Sequence, residues 1–126
     1  MYSQGFLTSS SQASNAGFGD VVWTSPEAAL SGDNVYANSL LNLVTPNSNY
    51  LVLKDFGFSV PVYCNIEGVE ASIERNATVA DSTIDTRLRI IKNNTVGNTD
   101  KSAAGFWATT DTTILYGGTN DKWGES

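Results

Sequence analysis

Apolar and polar residues alternate most clearly in two stretches. Val69, Ala71 and Ile73 alternate with Glu70, Ser72 and Glu74, and Ile84, Leu88 and Ile90 alternate with Asp85, Arg87 and Arg89. Period two is the signature of a half-buried strand. The loop between them, Asn76 to Ser82, makes an antiparallel pair the simplest expectation. The expected register sets Val69, Ala71 and Ile73 against Leu88, Thr86 and Ile84, with Glu70 opposite Arg87 on the outer face. Phe56, Phe58 and Val60 show the same period and stop at Pro61. The predicted core is Phe56, Phe58, Val69, Ile73, Leu88 and Ile90.

Weaker signals fill the rest. Val21-Val22-Trp23 reads as a short strand. Ser25 caps one helical turn over Pro26 to Leu30, with proline at its first position. Gly32-Asp33-Asn34 is a turn, and Val35-Tyr36-Ala37 enters the sheet. Tyr50 to Leu53 is a strand after the turn Pro46 to Asn49. Asn93-Asn94 and Gly97-Asn98 mark turns. Phe106-Trp107 and Thr112 to Tyr116 make late strands, and a loop through Gly117-Gly118 and Asn120-Asp121 ends in Trp123-Gly124. No segment longer than one turn has helical periodicity. The expected fold is all-β, with about six to eight strands between turns, as in a sandwich of jelly-roll type or a barrel.

Residues 1–19 differ from the rest of the chain. Ser9-Ser10-Ser11 and the Gln, Asn, Ala and Gly around them lack the apolar content of a core and read as a flexible or extended arm. Phe6, Leu7 and Phe18 are its candidate anchors on a neighbouring subunit. The expected organisation is therefore an arm, 1–19, and a β-domain, 20–126.

Composition narrows the chemistry. The chain has 126 residues, 13 acidic and 7 basic side chains, no histidine and one cysteine. Ser, Thr and Asn together supply 39 positions, a turn-rich bias. Without histidine there is no Ser-His-Asp or Cys-His catalysis and no histidine-ligated metal. A net charge of −6 and scattered basic residues argue against nucleic acid as a partner. No apolar run reaches the length of a membrane span, and Met1 to Ser14 lacks the pattern of a secretory leader.

Four groups merit weighing as sites. Glu67, Glu70 and Glu74 resemble the paired carboxylates of a glycosidase, but they lie on the polar side of an amphipathic strand and read as a solvated face. Asp81, Asp85, Asp100, Asp111 and Asp121 sit in or beside loops, as calcium ligands do, yet lack EF-hand spacing and read as turn and capping residues. Trp23, Trp107, Trp123, Tyr36, Tyr50, Tyr63 and Tyr116 suit a core or an interface better than a sugar-stacking platform. Cys64 has no histidine or second cysteine to activate it. Gly117-Gly118 lacks the Lys-Ser/Thr pair and helix of a phosphate loop, and the sequons at Asn76 and Asn93 read as unused. No cofactor or metal is expected.

Several motifs form a recognisable set: Phe56-Gly-Phe-Ser-Val-Pro61, Ile66-Glu-Gly-Val-Glu70, Ile73-Glu-Arg75, Asp81-Ser82, Leu88-x-Ile-x-Lys92, Trp107-x-Thr-x-Asp111 and Tyr116-Gly-Gly-x-x-Asp121-x-Trp-Gly124. Upstream, Trp23-x-x-Pro-Glu-Ala28 and Tyr36-Ala37 also fit. Together they resemble a β-sandwich domain of bacteriophage structural proteins, associated with capsid or tail. The resemblance implies a non-enzymatic virion component, decorating or stabilising the particle as a homo-oligomer with other virion proteins, and brings no catalytic residues. Its interface is expected at Phe6, Leu7, Phe18 and Trp123. Domains of this kind usually continue past the Trp-Gly motif with further strands, which here are supplied by a neighbour, removed or dispensable. The alternative is a carbohydrate- or receptor-binding module of a fibre or adhesin, with a glycan as ligand.

Overall fold

The computed structural model describes residues 6–7, 11–15, 18–30, 36–59 and 64–125. The described residues are all-β: six strands and one short 3-10 helix. The strands pair into three two-stranded antiparallel sheets, and the chain divides into two compact units, Met1–Pro61 and Val62–Ser126. The expectation from sequence places its one boundary at residue 19 instead.

In the first unit, β1 (Ser11–Asn15) pairs with β2 (Tyr50–Lys54), Ala13 opposite Val52. Part of the expected arm is thus a strand on its own chain. Phe18 also stays with its own unit, its ring 5.6 Å from that of Tyr50, while Phe6 and Leu7 are exposed. Pro26–Leu30 forms the expected turn as a 3-10 helix, closed by the Ala28 N–H donating to the Ser25 carbonyl at 2.9 Å. Val21 and Thr24 make only isolated bridges, to Ser48 and Asn38. The buried Asn49 ties this region together. Its N–H donates to the Val21 carbonyl at 2.7 Å, and its carbonyl accepts the Trp23 indole N–H at 2.8 Å.

The alternation at Phe56 and Phe58 does not produce a strand over the described residues. Asp55 and Gly57 take positive φ, which breaks the extended path, and Phe58 is 52% exposed. Val60 lies outside the described residues, as do Tyr63 and the Gly32-Asp33-Asn34 turn. Farther back, the Asn42 side-chain oxygen accepts the N–H groups of Val44 and Thr45, at 2.8 and 2.9 Å. This Asx turn holds a knuckle on which Leu40, Leu43 and Val44 are almost wholly exposed.

The second unit is built on β3 (Val69–Arg75), β4 (Ile91–Lys92), β5 (Thr95–Val96) and β6 (Thr112–Gly118). β3 forms as its alternation predicts, with Val69, Ala71, Ile73 and Arg75 inward and Glu70, Ser72 and Glu74 outward. Its partner is not the 84–90 segment. β3 pairs with β6, Ala71 opposite Tyr116 and Ile73 opposite Ile114, so Glu70 faces Gly117 and not Arg87. The 84–90 segment makes no strand; Ile84 forms one bridge with Phe106. Its first two residues also reverse the expected faces, with Ile84 54% exposed and Asp85 turned inward. β4 and β5 form a tight hairpin, in which Asn93 and Asn94 both have positive φ as a type I′ turn requires.

The core is smaller than expected. The buried apolar residues are Ala77, Tyr116 and Trp123, and no large side chain among the described residues is fully enclosed. Val69, Ile73, Leu88, Ile90 and Phe56 are half-buried, not buried. Units of this size have too high a surface-to-volume ratio to enclose many side chains. Polar ties therefore carry more of the organisation.

Candidate functional site

The strongest concentration of polar chemistry surrounds Asp85. β3 carries Arg75 inward because it continues the parity of Val69, Ala71 and Ile73. β6 carries Tyr116 inward by the same rule, beside Ile114. Between them lies the Asp85 carboxylate. Its Oδ1 accepts Arg75 Nη1 at 2.5 Å and the Trp107 indole N–H at 2.8 Å. Its Oδ2 accepts the Tyr116 hydroxyl at 2.7 Å and the Ala103 N–H at 2.9 Å. The Arg75 and Asp85 side chains are only 7% and 8% exposed. The Arg75 guanidinium also lies 5.1 Å from the Trp107 ring centroid, a cation–π contact.

A carboxylate offers about four lone-pair sites. Here all four are occupied by the protein's own donors, which leaves none for a substrate or metal. Tyr116 is likewise committed. Burial first, then the hydrogen bond to Asp85 and that group's charge, push its hydroxyl well above the usual tyrosine value of 10.0. The neutral phenol is the form the fold favours, so its contribution is complete below pH 10.0 and is lost as pH rises through the folded value. Stability is expected to fall on alkalinisation more steeply in the wild type than in Tyr116→Phe. Urea unfolding at a series of alkaline pH values checks this; equal slopes would count against it.

A second tie closes the end of the β3–β6 pair. The Trp123 indole N–H donates to the Val69 carbonyl at 2.8 Å, and the Val69 N–H donates to the Asp121 carbonyl at 2.9 Å. Asp121 Oδ1 accepts the Trp123 N–H at 2.8 Å, while Oδ2 pairs with Lys101 Nζ at 2.8 Å. Lys101 and the Trp123 amide hold the Asp121 carboxyl below the usual range. Trp123, one of the residues expected at an interface, is 3% exposed within its own unit.

The other loop aspartates work in the same way. Asp100 Oδ1 accepts the N–H groups of Leu88 and Ser102, both at 2.9 Å. Desolvation presses its carboxyl upward, and these amides outweigh it and hold it low. Asp111 accepts Asn76 Nδ2 at 2.5 Å, and Asp81 holds a positive φ in its turn. Glu67, Glu70 and Glu74 are exposed. Among the described residues no group of three acidic or cysteine side chains is placed to hold a metal, and no helix is long and apolar enough to cross a membrane. Cys64 is half-buried.

No family model, curated protein or solved structure matches this chain.

Proposed function

We propose that this chain is a non-enzymatic structural component of a bacteriophage virion, in which strands of an antiparallel β-sandwich of jelly-roll type decorate or stabilise the capsid or tail as a homo-oligomer. The observation that carries the reading is the amount of large apolar surface left in water. In the first unit Leu40, Leu43 and Val44 are 85%, 101% and 88% exposed, and in the second Ile66, Val79, Ile84, Phe106 and Leu115 each exceed half. Contiguous exposed apolar surface marks interaction sites, and the knuckle at Leu40, Leu43 and Val44 is the segment where such residues lie close together along the chain. Four of the candidate carboxylates, Asp85, Asp100, Asp111 and Asp121, fasten loops and strands, which suits a structural role. Partners would be other virion proteins and further copies of the chain.

A glycan- or receptor-binding module gains less support. Two of its three tryptophan indoles donate to backbone carbonyls and the third to Asp85, and none is an exposed platform. The test is mass spectrometry of purified particles from a phage encoding the chain. The protein is expected at a stoichiometry matching a symmetric shell or tail ring. Its absence from intact particles, with retention on a glycan array, would favour the alternative.

A further inference from the structure

We draw no further inference here: the strongest candidate, the apolar knuckle of the first unit on which Leu40, Leu43 and Val44 stand exposed, belongs to the surface already described, and nothing in the structure shows what covers it.

Discussion

Asp85→Asn is expected to destabilise the protein by about 3–5 kcal/mol, the usual cost of removing one partner from a buried ion pair. The mechanism is specific. Arg75, 7% exposed, would keep its charge with no counter-charge inside the unit. An amide also replaces one acceptor oxygen with an N–H₂ group, which then faces either the Arg75 and Trp107 donors or the Tyr116 and Ala103 donors. Such a loss is a large share of the roughly 5–15 kcal/mol that holds a domain folded. Replacing both partners, Arg75→Met with Asp85→Leu, should recover much of it, since a well-packed apolar pair avoids the desolvation cost. The double-mutant cycle then yields a coupling energy well above the few tenths found for independent sites. Urea unfolding followed by tryptophan fluorescence measures the four proteins of the cycle and Asp85→Asn. A loss below about 1 kcal/mol for Asp85→Asn would mean that water, not the protein, solvates this pair.

How far this cluster is legible in the sequence depends on the residue. The inward face of β3 follows from alternation, and extending that parity by one step places Arg75 inward as well. A buried arginine requires a carboxylate, and Asp85 is the acidic residue with the donors of Trp107 and Tyr116 around it. The apolar pattern itself ends at Ile73 and assigns Asp85 to solvent, because its neighbours Ile84 and Leu88 alternate with charges. Alternation identifies the two faces of a strand and says nothing about which strand lies beside it. Two segments carry the same period, and the shorter connection favours pairing 69–74 with 84–90. The strand that pairs is β6, whose uncharged Thr-Thr-Ile-Leu-Tyr sequence has a weaker alternation but a better supply of β-branched and aromatic residues.

The turn and capping role of the other loop aspartates is legible, since it follows from the residue type. Their partners are not: the Leu88 and Ser102 amides around Asp100, or Lys101 beside Asp121, become neighbours only through the folded path. The first unit is the least legible. From Asn34 to Leu53 no side chain is charged, so no polar face marks the outside. Leu40, Leu43 and Val44 look like core residues and are exposed because the Asn42 side chain folds the chain back on itself there.

The second large effect is expected at Gly117. This residue has φ +74°, and a Cβ added to it would lie 2.3 Å from the Val69 carbonyl oxygen and 2.5 Å from the Trp123 indole nitrogen. Those two atoms are the acceptor and donor of the 2.8 Å bond that closes the β3–β6 end. A side chain here must displace backbone or push the indole out of the unit's most buried site. Gly117→Ala is expected to cost about 3 kcal/mol, of which left-handed backbone strain accounts for roughly 1–2 kcal/mol and the rest is lost Trp123 packing. Two other glycines separate these contributions. Gly105 has φ +94° with open space around its Cβ position, so Gly105→Ala should show the strain alone. Gly118 has open space and no positive φ, so Gly118→Ala should be within about 0.5 kcal/mol of wild type. Thermal unfolding of the three variants, with the fluorescence maximum as a gauge of Trp123 exposure, measures the ordering. If Gly117→Ala costs no more than Gly105→Ala and leaves the emission unshifted, Trp123 does not fasten the end of this sheet.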